Sequence, residues 1–406
     1  MGLQTSGFHN IFNKTTAMTA FNRRNFLRTS GISILPALIP FTQVSALDIF
    51  KSPDPAAPMI KFYGDGEMFE PADYINELQK AHAATAIVRD RYGSGGVVEA
   101  LEKKFTALTG KEKSIYMPSG TMANQLAIAV LSGENTKIFV QDTSHVYRDE
   151  ADAAQSVFNK RLMPLAKDET YFTVAQLQAA IENLNNEEVF KSGIGAISIE
   201  NPVRRTDGRY VPLDEIKKIS SYCRSNNIKM HLDGARIFMA SAWTGVSIQE
   251  YASHFDTVYI SLYKYLGAAG GAMLSGPTTV IDKMAHLIKI HGGSMYSNWA
   301  NAAMALHRLE GMESRLQNAI KASAEIFSEL NKVPGISIKP LDGGTNIYNM
   351  DLGKEIDGKK MQLTLNKDFN IRMPRPNDKN HTQLSVNETL LYQNAAYIIN
   401  AFKKSI

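Results

Sequence analysis

Lys264 closes the β-prone run FDTVYISLYK and is followed by Gly267, Ala268, Ala269, Gly270 and Gly271. Lysine is among the residues least often fully buried, so one placed here either reaches solvent or is used. If used, its amine forms a Schiff base with a carbonyl once burial or nearby positive charge lowers its pKa. The small residues after it let backbone approach a bulky ligand closely. Upstream, IKMHLDGAR ends an apolar run on Asp233. A buried carboxylate is costly unless something positive meets it, and a protonated pyridine nitrogen and the guanidinium of Arg236 are the two candidates. His145, in DTSHVY, either stacks its flat ring on a planar cofactor or is a polar loop residue. Ser119, Gly120 and Thr121, in PSGTMANQ, form a turn ahead of a helix from Met122. That turn is either an ordinary helix cap or, through free N–H groups and two hydroxyls, an anion site suited to phosphate. Each feature alone has an ordinary reading. Together, a phosphate cradle, a ring-stacking group, a carboxylate for a ring nitrogen and a Schiff-base lysine meet the main demands of pyridoxal phosphate.

These residues need a scaffold that brings them to one place. VVEALEKKFTALTG has apolar residues at helical spacing and a closing glycine. KSIYM, KIFV, GAISIEN, IKMHLDGA and TVYISLYK are short β-prone runs separated by helical patterns, among them one from about Leu213 to Asn226. Strands alternating with helices imply a sheet with parallel strands and helices on both faces. Ligands of such sheets gather outside the carboxyl ends of the strands, where all four candidate groups fall. From about Ile281 the texture changes to long helices, with GISIKP and TNIYNMDL as a strand pair, which reads as a smaller α+β lobe.

The chain has 406 residues, 44% hydrophobic and 21% charged, enough for a sizeable core and more than one lobe. Cys223 is the single cysteine, which excludes an intrachain disulfide framework and a Cys-rich zinc site; no metal is called for. NRRNFLRTSGISILPALIPFTQVSA has paired Arg23 and Arg24, a short apolar stretch broken by Pro36 and Pro40, and small residues to Ala46. That layout reads as a secretory signal rather than a membrane span, with a basic disordered tail as the other reading, and it resembles a twin-arginine signal, which exports folded proteins. The expectation is a periplasmic or otherwise exported chain with no membrane attachment after cleavage, beginning near Leu47. Residues 1–46 carry Lys14, Arg23, Arg24 and Arg28 and no acid, so the mature chain has as many basic as acidic residues. The formal charge of +4 therefore gives no reason to expect a nucleic-acid partner.

YGSGGVVEALEKKFTALTGKEKSIYMPSGTMANQLAI, HVYRDE, ENPVRRTDGRYVPLDEI, HLDGARIF and the Lys264 segment resemble, in the same order, the threonine aldolases of the β-eliminating lyase group. The resemblance runs from about Tyr92 to Gly276. It implies a fold type I pyridoxal-phosphate enzyme: a large domain, 61–280, with a mostly parallel seven-stranded sheet between helices, a smaller carboxy-terminal α+β domain, 281–406, and a linker at 47–60. By position it makes Lys264 the lysine that joins the cofactor, Asp233 the partner of the pyridinium nitrogen and His145 the stacking ring. Ser119, Gly120 and Thr121 fall at the phosphate and Arg236 beside the phenolic oxygen. HGGSMYSNWANA, 291–302, aligns with a segment that reaches a neighbouring subunit, implying a homodimer or homotetramer.

The substrate side departs from the family. KFYGDGEMFEP stands where an Arg-Ser-Asp-Thr motif supplies a carboxylate-binding serine, and Ser94, Gly95 and Gly96 replace a Gly-Asp-Pro-Thr stretch. HTQLSV replaces the segment holding the arginine that clamps the substrate carboxylate; Arg372 and Arg375 are either its substitutes or surface charges. A histidine often assigned to the substrate hydroxyl has no evident counterpart before GAISIEN. The expected activity is cleavage of a β-hydroxy amino acid to glycine and an aldehyde. The alternatives are β-elimination, an aminotransferase or sugar-amine enzyme on the same fold, and a protein that retains the cofactor without turnover.

Overall fold

The computed structural model describes residues 58–406; the expected leader, and the linker as far as residue 57, lie outside the described residues. The described chain opens with a short strand, β1 (Ile60–Lys61), and the large sheet follows: β2 (Lys113–Met117), β3 (Lys137–Gln141), β4 (Arg161–Leu165), β5 (Ile194–Glu200), β6 (Lys229–Asp233), β7 (Thr257–Ser261) and β8 (Ala272–Gly276). The strand order is β2-β8-β7-β6-β5-β3-β4. Only β8 runs antiparallel to its neighbours; the other pairings are parallel. This is the mostly parallel seven-stranded sheet expected.

Parallel strands covered on both faces read as continuous apolar runs, and successive side chains divide between two cores. Ile138 and Val140 face one way and Phe139 the other; Val258 and Ile260 face opposite to Tyr259. One face is covered by the helices Gly96–Thr109, Leu213–Ser225, Ile237–Thr244 and Trp299–Leu309, among others. The other is covered by Gly120–Ser132 and Met284–Ile290. Each fully buried large apolar side chain contributes roughly 1.5–3 kcal/mol, which holds the strand ends in fixed register. Gly110 ends the first of these helices at φ 64°, a conformation glycine adopts without strain.

A second core lies around a three-stranded antiparallel sheet of β9 (Ile336–Pro340), β10 (Ile347–Leu352) and β12 (His381–Ser385), order β12-β10-β9. β1 pairs parallel with β11 (Ile371–Arg372). Phe62 sits between Phe327 and Phe402, with ring centroids 6.3 and 5.8 Å away. The packing does not change hands at residue 280. Ile281, Met284 and Ile288 complete the layer under Gly120–Ser132, and Ala302–Ala305 and Met312 enter the large core, while Ile60 and Phe62 belong to the second. Helical spacing shows that a helix buries a face, not which core receives it. Among the described residues no helix is long and apolar enough to cross a membrane.

Candidate active site

The sheet brings the expected strand ends together. Register aligns Glu200, Asp233 and Tyr259 as a row across β5, β6 and β7. A second row joins Ser261 on β7 to Ala272 and then Met117 on β2, whose chain continues into the Ser119–Thr121 turn. Ser119 is the N-cap of the helix Gly120–Ser132 and its hydroxyl accepts from Met122 N at 3.2 Å. The cap reading therefore holds for Ser119, and the first turn, as in any helix, still leaves backbone N–H groups unpaired. Gly120 is required there: a Cβ would stand 2.1 Å from the Tyr259 Oη.

Asp233 is 1% exposed. Its Oδ1 accepts from Ala235 N at 3.1 Å and its Oδ2 from Asn124 Nδ2 at 3.0 Å. Arg236 does not partner it. The Arg236 Nε donates to Asp65 Oδ1 at 2.8 Å. Asp233 therefore has no basic side chain hydrogen-bonded to it among the described residues, and of its two candidate partners the arginine is the one engaged elsewhere. His145 is held from two sides, its backbone N donating to Glu200 Oε2 at 2.7 Å and its Nδ1 lying 3.0 Å from Glu150 Oε1. The Glu150 bond raises the His145 pKa against the effect of burial. Burial, and then Asp233 beside it, push Glu200 up to about 7.

Lys264 is 9% exposed, and its amine makes no hydrogen bond to any described residue. Its nearest ring is Tyr263, at 5.7 Å from Nζ to the centroid. Burial, and then the Arg236 cation, lower its pKa, while Asp233, Asp65 and Glu200 oppose the fall. A desolvated amine beside a cation has the environment of a nucleophilic lysine. The loop Gly64–Gly66 closes over this segment, and a Cβ on Gly66 would lie 3.0 Å from the Tyr265 Cα.

Two expected substrate residues are not brought in. Arg372 is exposed and donates to Asn366 at 3.1 Å, and Arg375 is exposed. Several residues that the sequence did not single out are brought in: Asp65, Asn124, Glu150, Glu200 and Ser261. Ser261 Oγ is buried without a hydrogen-bond partner, at the end of the strand that leads to Lys264. Asn124 and Glu150 lay inside the motifs PSGTMANQ and HVYRDE, and the available signal was a polar residue on an otherwise apolar helix face. Ligand atoms of His145, Glu150 and Asp233 lie within 4.8 Å of one another. Asn124 Nδ2 bridges the two carboxylates, 2.8 Å from Glu150 Oε1, and accounts for their convergence.

The strand order, the helix N-terminus beside β2 and the buried lysine after β7 define the fold as that of the fold type I pyridoxal-phosphate enzymes. The chain belongs to the beta-eliminating lyase family, which it matches over residues 72–352. It is 31% identical over 288 residues to a low-specificity L-threonine aldolase of Candida albicans, spanning 70% of this chain and 76% of the relative. Two solved structures superpose on it. A putative aromatic amino acid beta-eliminating lyase/threonine aldolase from Exiguobacterium gives a TM-score of 0.72 at 24% identity, covering 86% of this chain and 97% of that one. A putative L-allo-threonine aldolase from Listeria monocytogenes gives 0.70 at 22%, with the same coverage.

Proposed function

We propose that the protein is a pyridoxal-phosphate-dependent lyase of the threonine aldolase type, cleaving the Cα–Cβ bond of a β-hydroxy amino acid to glycine and an aldehyde. The observation that carries this reading is Lys264, a buried amine left without a hydrogen-bond partner among the described residues. The site's other features suit the same group. The unpaired Ser261 hydroxyl and the N–H groups at Gly120 and Thr121 would hold its phosphate, Asp233 would accept from its ring nitrogen, and the His145 ring would lie against its face. Bound there, the cofactor supplies an electron sink for the bond broken at Cα. Which bond breaks depends on its alignment, and therefore on what holds the substrate carboxylate. Arg236, oriented by Asp65 through Nε alone, keeps its terminal nitrogens for that contact.

The absence of Arg372 and Arg375 from the site, and of any side chain at Gly64, keeps β-elimination and amino transfer as second readings. Purified protein loaded with pyridoxal phosphate, given a panel of β-hydroxy amino acids, decides among them. Glycine and aldehyde in equal amounts support the proposal. An oxo acid with ammonia means elimination, stoichiometric transfer of the amino group means an aminotransferase, and no product with any substrate means a protein that retains the cofactor without turnover.

We also propose a homodimer or a tetramer of dimers, and export by the twin-arginine route. Support for assembly is an exposed apolar patch: Met295, Tyr296 and Trp299 beside Tyr92, whose ring meets Tyr296 edge-on at 5.3 Å. An active monomer in sedimentation would refute it. Support for export is the leader sequence alone, and replacing Arg23 and Arg24 with lysine should trap uncut precursor in the cytoplasm. Unchanged processing and location would refute that reading.

A further inference from the structure

We propose that Asn124, with His231 behind it, is a positioning residue of the candidate active site: a one-way relay of hydrogen-bond donors from Thr257 through His231 and Asn124 ends on Glu150 and Asp233 and fixes both as acceptors. The inference rests on the cofactor reading above only in its consequence for the ring nitrogen.

Asn124 is fully buried on a helix whose other buried residues are alanine, leucine, isoleucine and Ser132, where an apolar residue would cost nothing to desolvate. Both of its amide hydrogens and one of its oxygen's two lone pairs are used. Nδ2 reaches Glu150 Oε1 at 2.8 Å and Asp233 Oδ2 at 3.0 Å, and Oδ1 reaches His231 Nε2 at 2.9 Å. An amide nitrogen carries two hydrogens and an amide oxygen none. Turning the amide over would set its oxygen against two carboxylates, so the carboxylates fix its orientation. Oδ1 must then accept, and His231 Nε2 must carry the proton. His231 Nδ1 is left to accept from Thr257 Oγ1, 2.8 Å away. Burial pushes the His231 pKa down to about 4, which keeps this single neutral tautomer at ordinary pH. His231 and Asp233 share a face of β6 because they are two residues apart, so the relay and its target stand on one rigid strand.

The consequence is directional. Asp233 reaches the site with each oxygen already taking one donor, Ala235 N and Asn124, and its remaining lone pairs suit a third, cationic N–H. Glu150, held by the same amide, accepts from His145 Nδ1 and thereby sets the angle of the stacking ring.

The test uses the whole protein in two states. In the cofactor-free state, imidazole nitrogen NMR with labelled histidine should show His231 protonated on Nε2 and His145 on Nδ1. In the loaded state, Asn124→Leu, close in shape, should weaken pyridoxal phosphate about 10- to 100-fold, the effect of losing a hydrogen bond to a charged group, and shift the pH midpoint of the cofactor's absorbance. If Asn124→Leu does not fold, Thr257→Val removes only the hydroxyl that begins the relay and should leave His231 protonated on Nε2, because the carboxylate-held amide sets the tautomer; a switch to Nδ1 overturns the proposal. Ser132→Ala, which loses a buried hydroxyl on the same helix that bonds Ile128 O, should change neither spectrum nor affinity. His231 protonated on Nδ1 in the wild type overturns the proposal whether or not the cofactor binds. So does an Asn124→Leu protein with unchanged cofactor affinity and absorbance midpoint. A wild type that fails to bind the cofactor refutes the functional reading and leaves the tautomer measurement to decide the relay.

Discussion

Asp65 Oδ1 lies 2.8 Å from Arg236 Nε, and this ion pair joins a loop tethered to the second core to the strand-end cluster of the first. Phe62, just ahead of the loop, is buried in the second core, and its carbonyl accepts from Ser385 N at 2.9 Å. Arg236 follows β6. Asp65 thus meets the sheet's strand ends from outside the sheet. It also opposes, at a distance, the lowering of the Lys264 pKa that Arg236 causes.

Replacing Asp65 with alanine should act on both. Breaking the partly buried pair should cost roughly 1–3 kcal/mol, between the values for exposed and buried pairs. Without the acid, the Lys264 amine should titrate at a lower pH than in the wild type, read by the pH dependence of amine labelling in cofactor-free protein. A midpoint that stays or rises would show that Asp65 does not balance Arg236.

Holding the Lys264 amine buried and without a hydrogen bond costs the fold stability. Lys264→Met should therefore stabilise the cofactor-free protein by roughly 1–2 kcal/mol, since a buried unbonded amine is replaced by an apolar chain of similar size. The same substitution should abolish borohydride fixation of a pyridoxyl group. A destabilised variant would mean that the amine has an energetic role in the empty fold; a lysine adduct surviving at the same site would remove the assignment.

Gly120 and Ser261 should separate two parts of the phosphate cradle. Gly120→Ala sets a methyl 2.1 Å from the Tyr259 Oη and should cost roughly 1–3 kcal/mol through overpacking, with part of the loss recovered by adding Tyr259→Phe. Ser261→Ala removes an unpaired buried hydroxyl and should leave the cofactor-free protein as stable as before or more so, while weakening pyridoxal phosphate about tenfold. Calorimetric binding and urea unfolding measure the two effects, and loss of stability without loss of affinity in Ser261→Ala would place the phosphate elsewhere.

Two buried groups should oppose each other in acid. His231 falls from 6.5 to about 4 on folding, so between those values the unfolded chain binds the extra proton and stability rises with pH. Glu200 rises from 4.5 to about 7, so over that window the native state holds the proton and stability falls as pH rises. Each shift corresponds to about 3 kcal/mol. Subtracting the Glu200→Gln profile from the wild-type profile of unfolding free energy against pH should leave a difference that falls from pH 4.5 to 7. A difference independent of pH would show that folding leaves the Glu200 pKa unshifted.

The placement of Lys264, Asp233, His145 and the Ser119–Thr121 turn was legible because each ends a strand or opens a helix, and strand ends are marked locally by a break in apolar periodicity. The seven-stranded sheet followed from alternation of β-prone and helical runs together with the family resemblance. The partners of those residues were not legible. Asp65 meets Arg236 across 171 positions, and Asn124 meets Asp233 across 109. Nothing local to either residue reports such a distance. Arg372 and Arg375 looked suitable because they were the right type near the right place in the chain, yet both are exposed and Arg372 is bonded to Asn366. Sequence by itself determined which groups were available and which strand ends would carry them, because short-range patterning dictates those. Tertiary structure alone decided which acid meets which base, which amide bridges which carboxylates and which lysine is left unpaired. Those outcomes depend on strand register and on how a loop anchored in one core reaches the other, and both are set by packing among residues far apart in the chain.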